Sequence, residues 1–353
     1  MEEQAPEMDN SGLLPPSMRR IAGSTQHSVG KSWAKKSFAL RDPSSADHRR
    51  GVYLMPCDEL EKDRLDILHR VLEEARRGNL LNAPFQERPP GHNGCRVLDL
   101  GFGTGFWLVD MAAKYRNTEF VGIDLANMGP DKILENVTLL YPRDYESPWA
   151  LGEASWDIIH IQMACGSVSS WPNLYAKVMK HLRPGTGWFE QVELDLRPRC
   201  DDGTLNPSSR IVEWYNYLAE ATFNVGRSIE YNGDAETFRL LTAAGFRDIR
   251  HEAIRIPLNT WPTDPHEKEI GAWYYLSMTG EINNDRGGHG IEAISLAPLY
   301  RIFNWPIDHV WRYIKEVERD FAQVKFHCYH VLHIWSARAP SEEEAMLVDP
   351  RDR

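Results

Sequence analysis

The stretch Asp99-Leu100-Gly101-Phe102-Gly103-Thr104-Gly105 closes an apolar run, CRVLDL over 95–100, and opens a helix-patterned segment over 106–116. Glycines at such a junction let the chain turn sharply and bring its backbone close to a ligand. Dinucleotide-binding loops use G-x-G-x-x-G at the same place. Here the sixth position is Phe106. A bulky ring at the helix start would obstruct a pyrophosphate, which needs a small residue there. The carboxylate of Asp99, two residues ahead of Gly101, suits a ligand that carries a cation. S-adenosylmethionine, with its free ammonium group, fits both features. The expectation is that Asp99 holds the amino-acid end of that ligand, while Gly101, Gly103, Thr104 and Gly105 give it room.

Strand and helix patterns alternate on either side of the loop. Before it, Asp58 followed by Glu61 has the form of a capping box, and Leu65, Leu68, Val71 and Leu72 recur at helical spacing until Gly78 and Asn79. After it, strands are expected at 119–125, 137–141, 156–162 and 187–194, with a helix over 172–182. Helices over 208–224 and 234–244 and a strand over 246–256 follow. Residues 257–329 read as a helical insertion with Trp261, Trp273, Trp305 and Trp311, before a last strand over 331–339. The alternation implies an α/β fold: a mostly parallel, seven-stranded sheet with helices on both faces.

The ends of successive strands carry further candidates. Asp124 ends the second strand, where a carboxylate accepts ribose hydroxyls, with Leu125 beside it. Asp144 and Tyr145, in RDYESPW over 143–149, follow the third strand, where an acidic group can accept from an adenine amino group. Asp124 and Asp144 also fit ordinary turn residues. Met163 follows the fourth strand, near the transferable methyl. It can pack there, or act as a nucleophile that needs no deprotonation, which makes self-methylation a second reading. Tyr53 could close over the ligand as a lid or belong to the core. His69 and His160 read as satisfied core residues. His327, His330 and His333 resemble a metal cluster, but alternation puts His330 and His333 on opposite faces of a strand, so no metal site is expected.

Composition narrows the class. The chain has 353 residues and a formal net charge of −11, which disfavours direct nucleic-acid binding. It has no run of eighteen apolar residues, so no membrane span is expected, and its acidic start is unlike a secretory signal. Five scattered cysteines without a CxxC pair point away from zinc and disulfides and toward a reducing compartment. Residues 1–50 are expected to be a disordered tail, and 341–353 a charged one. Arg19, Arg20, Lys31, Lys35 and Lys36 are spaced like a two-part nuclear import signal and equally like a solvated tail.

Several segments carry a family resemblance: YLMPCD (53–58), RLDILH (64–69), DLGFGTG (99–105), RDYESPW (143–149), MACGSV (163–168), PRCDD (198–202), NTWP (259–262), DPH (264–266) and HIW (333–335). Over about residues 50–340 the chain resembles fungal LaeA-type methyltransferases. The resemblance implies a class I, Rossmann-like methyltransferase fold over 51–340 and S-adenosylmethionine as cofactor. It also implies regulation of transcription, secondary metabolism, development and sporulation beside velvet-domain proteins in the nucleus, with cytoplasm or membranes as stations of similar paralogues. Phe102 departs from the small or Cys residue common at its place. A small-molecule methyltransferase and a cofactor-binding, non-catalytic partner protein remain the competing readings.

Overall fold

The structure is a computed structural model and describes residues 54–89, 94–280 and 289–347. The expected N-terminal tail, its basic cluster and Tyr53 lie outside the described residues. The first described helix, α1 (Glu59–Ala75), is capped by Asp58, whose side chain accepts the Glu61 N–H at 2.8 Å. The reciprocal half of the expected capping box is not made. Glu61 turns inward and takes the buried Arg64 guanidinium at 2.6 and 2.8 Å instead.

Strands β1 (Cys95–Leu100), β2 (Thr118–Ile123), β3 (Val137–Leu140), β4 (Ile158–Gln162) and β5 (Trp188–Arg199) are parallel. β7 (Tyr329–Arg338) pairs antiparallel with both β5 and β6 (Arg247–Pro257), so β6 runs parallel to β1–β5 and only β7 is reversed in the order β3-β2-β1-β4-β5-β7-β6. The expected sheet is therefore present. β5 runs five residues beyond the expected end at 194, because its extension continues to pair with β7 as far as Arg199–Tyr329. Nine successive residues of β5 are buried, as a strand covered on both faces requires.

Helix α2 (Phe106–Lys114) packs Trp107, Leu108 and Met111 against Val97 and Phe120 of the sheet. On the same face, α1, α4 (Arg210–Asn224), α6 (Pro265–Thr279) and α8 (Ile307–Phe321) enclose the largest core cluster over Val192, Leu194 and Ile256. Helices α3 (Trp171–His181) and α5 (Asp234–Ala243) cover the other face, against Phe189, Phe246 and Trp335. The two faces follow from strand alternation.

Among its described residues the insertion is mostly helical, as expected, and includes an irregular turn. Between α7 (His289–Leu296) and α8 lies a π-helix, Ala297–Ile302. Pro298 has no N–H to give the regular ladder, and its carbonyl accepts from Phe303, five residues on. The insertion's tryptophans do not form an exposed surface. Trp273 is buried, and Trp261, Trp305 and Trp311 are half-buried, the last two against the core. The described part of the charged C-terminal segment holds a short helix. Ser341 and Glu344 form a capping box on α9 (Glu342–Met346), and Arg338 holds Glu344 at 2.9 Å. No described helix is long and apolar enough to cross a membrane.

Candidate cofactor and acceptor site

The strand order reverses between β1 and β4. Such a reversal opens a crevice beyond the carboxyl ends of the strands. A cleft of about 820 Å³, its open mouth included, lies there. Seven of the expected residues line it: Gly101, Gly103, Asp124, Leu125, Asp144, Tyr145 and Met163.

Gly101 and Gly103 have φ of +81° and +54°, the left-handed region that glycine enters without strain. A Cβ on Gly101 would stand 3.5 Å from the Tyr145 ring. The Gly103 N–H donates to Asp124 at 2.9 Å, and the Ala126 N–H to the other carboxylate oxygen at 3.0 Å. Burial raises the Asp124 carboxyl to about 6, against the lowering effect of these N–H groups. Asp124 thus fixes the loop and faces the cleft. Asp144 has the same double role: it accepts from the Glu146 N–H at 2.8 Å and the Ser147 hydroxyl at 3.0 Å while lining the cleft.

Three expected contacts are placed elsewhere. Asp99 does not line the cleft. It is buried beneath the loop, with Oδ1 2.8 Å from Nδ1 of His160, its register neighbour on β4. The His160 ring stacks on Trp107 at 3.7 Å, so His160 is a core residue, as expected. Thr104 bonds Asp66, and Gly105, at φ +76°, starts α2 under Pro130. His69 pairs with Asp110 at 2.8 Å. The three C-terminal histidines are apart: His327 holds Asp202, His330 accepts from or donates to Tyr274 at 2.7 Å, and His333 lies on the other face of β7.

Met163 is at φ +57°, a conformation that costs a non-glycine residue about 1–3 kcal/mol. Its N–H donates to Val192 at 2.8 Å, which ties this bend to β5. Met163, Leu65 and Ser167 also line a second, largely apolar cavity behind the cleft, with Met55 and Met278. In its wall, the fully buried Glu193 accepts the N–H groups of Ala164 and Cys165 at 3.1 and 3.0 Å. Burial pushes Glu193 up to about 7. Sequence reasoning missed this residue, although carboxylates at 190, 193 and 195 in an apolar run were a visible signal. It also missed Arg227, which borders the cleft beside Glu146 at 2.7 Å. Arg227 meets Ser167 from 60 residues away, and no local pattern announces it.

The left-handed glycines, the half-buried Asp124 carboxylate and the polar end at Asp144 fit an adenosyl ligand. The family model of the methyltransferase domain matches residues 58–251. The secondary metabolism regulator LAE1 of Cochliobolus heterostrophus is 51% identical over 295 residues, 83% of this chain and 92% of that protein. The secondary metabolism regulator laeA of Aspergillus flavus is 46% identical over 294 residues, 83% of this chain and 75% of that protein. The protein-methionine methyltransferase laeA of Emericella nidulans is 42% identical over 293 residues, 83% of this chain and 74% of that protein. Fold, cleft and domain together define a class I methyltransferase with S-adenosylmethionine as its cofactor. Within that class, the chain belongs to the LaeA family of secondary metabolism regulators.

Proposed function

We propose that this methyltransferase acts on a thioether in a protein, with its own Met163 as the first acceptor, and regulates secondary metabolism and sporulation from a nuclear complex with velvet-domain proteins. The observation that carries the acceptor is the place of Met163, between the cofactor cleft and an apolar cavity that also holds Met55 and Met278. Bound S-adenosylmethionine supplies a sulfonium-activated methyl group. The thioether sulfur uses a lone pair to form the new S–C bond as the old one breaks, leaving S-adenosylhomocysteine and a methylated sulfonium. No proton moves, so alignment is the main requirement and no general base is assigned. The relative named as a protein-methionine methyltransferase supports the acceptor class. The nuclear complex rests on the family resemblance, and the charge of −11 agrees with action through a partner rather than on DNA.

The full chain, incubated with methyl-labelled S-adenosylmethionine and mapped by peptide, is expected to carry label at Met163. Met163→Leu keeps the packing and is expected to lose the label. Label absent from that peptide in a preparation that binds the cofactor sinks the acceptor assignment. Affinity capture from the native organism is expected to return velvet-domain proteins. Their absence, together with turnover of a small metabolite, favours biosynthesis instead.

A further inference from the structure

We propose that Asp234, His251 and His333 form a divalent transition-metal site, outside the cofactor cleft, that clamps the first turn of α5 to the β6–β7 pair. The sequence reading expected no metal site, because it tested His333 with histidines that the fold keeps apart. Pairing of β6 with β7 instead brings His251 near His333: their register partners are Trp335 and Ala253, two residues away along each strand, so the two histidines form a diagonal pair on one face. The rings lie 8° from parallel with Nε2 of His251 3.0 Å from Nδ1 of His333. Asp234, the first residue of α5, places Oδ1 3.3 Å from that Nδ1 and 3.7 Å from that Nε2.

Three Lewis-basic atoms therefore lie within 3.7 Å of one another, the two ring nitrogens facing each other nearly head-on, so that a modest tilt of each ring aims its lone pair at a shared ion. A single proton can bridge only one pair of them. A point equidistant from the three corners lies about 2.0 Å from each, close to the 2.0–2.1 Å of zinc–imidazole bonds. Two imidazoles and one carboxylate match zinc, and match copper, nickel or cobalt as well, since imidazole suits all of these. The rings are held from outside: Tyr231 stacks on His333 at 4.0 Å and Trp335 on His251 at 4.1 Å. Tyr231 also donates to Asp234 at 3.0 Å and accepts from Trp335 at 2.7 Å, so the same residues orient both rings and the carboxylate. Asp234 is 58% exposed, which leaves the fourth position open to water. On binding, the proton between the two rings moves, through solvent, to the other nitrogen of the ring that carries it, so both imidazoles stay neutral and each facing nitrogen gives its lone pair to the ion.

The probe is Zn²⁺ itself, with Co²⁺ as a coloured substitute. Tag-free full-length protein, stripped with chelator, is titrated by calorimetry at neutral pH. One equivalent of Zn²⁺ is expected, with a rise in Tm and tetrahedral Co²⁺ bands in the visible spectrum. Asp234→Asn and His251→Gln, both at the rim, are expected to weaken Zn²⁺ by roughly 100-fold or more, since even outer-shell changes cost 10- to 100-fold. Both variants are expected to keep S-adenosylmethionine binding, which verifies their fold. No Zn²⁺ uptake by the wild type overturns the proposal. So does uptake that His251→Gln leaves unchanged, which would locate the ion at the cysteines or elsewhere.

Discussion

At the scale of single residues, the glycine loop permits a controlled comparison. Gly103 and Gly78 share the left-handed conformation, at φ +54° and +79°. A Cβ on Gly103 would meet only Leu65, at 3.9 Å, and one on Gly78 would meet nothing within 4 Å. Both Gly→Ala changes therefore cost backbone strain without a clash inside the protein. Only Gly103 lines the cleft. Both variants are expected to lose about 1–3 kcal/mol of stability to backbone strain, and Gly103→Ala alone to bind the cofactor more weakly by calorimetry, because its new methyl group stands in the cleft wall. Equal affinities in two folded variants would remove the loop from the site. Asp124 adds a pH dependence. Burial raises its carboxyl to about 6, and ribose hydroxyls donate more strongly to the charged form. Ligand binding then lowers that value and releases a proton below it, so affinity falls as pH falls through about 6, by at most about tenfold per pH unit for one linked proton. Asp124→Asn is expected to bind more weakly and to flatten this profile between pH 5 and 8. A profile unchanged in Asp124→Asn would assign the linkage to another group.

At the scale of elements, α1 is fastened to the sheet by one buried ion pair. Arg76, at the end of α1, reaches Glu190 of β5 at 2.7 Å, with side chains 3% and 0% exposed. Glu190 also accepts the N–H groups of Asn82 and Ala83, at 2.6 and 2.7 Å. Removing the cation leaves a carboxylate without its countercharge in the core, so Arg76→Met is expected to cost about 3–5 kcal/mol in a urea titration. Adding Glu190→Gln to that variant restores part of the loss, because the neutral group no longer needs a cation. A loss below about 1 kcal/mol in Arg76→Met would show that the pair contributes little. Neither partner is legible as a pair in the sequence, because they are 114 residues apart. The strands were legible, since apolar runs broken by glycine carry their own period. Side-chain direction at strand ends was not. Asp99 and Asp124 look equivalent in sequence, yet β4 places His160 beside Asp99, while the turn after β2 aims Asp124 at the cleft.

At the scale of the whole molecule, charge and surface bear on whether this chain acts on DNA itself or through a partner. The formal charge of −11 opposes a phosphate backbone, and neutralising phosphates with Lys or Arg is what makes nucleic-acid binding strong and salt-sensitive. With Trp273 buried and Trp261, Trp305 and Trp311 half-buried, those side chains are committed to the fold. Trp305→Ala is expected to lower Tm by removing a ring that packs on Tyr217 and Tyr313 at 5.0 and 5.3 Å, rather than to cut a partner loose. On the proposed nuclear reading, the purified chain alone is expected not to hold DNA at physiological salt, with any occupancy of chromatin passing through a bound protein. A fluorescent fusion of the full chain is expected in the nucleus, while gel-shift titrations of the pure protein show no binding that weakens with added salt. Tight, salt-dependent DNA binding without a partner would defeat the proposal, and so would a fusion excluded from the nucleus when its partners are present.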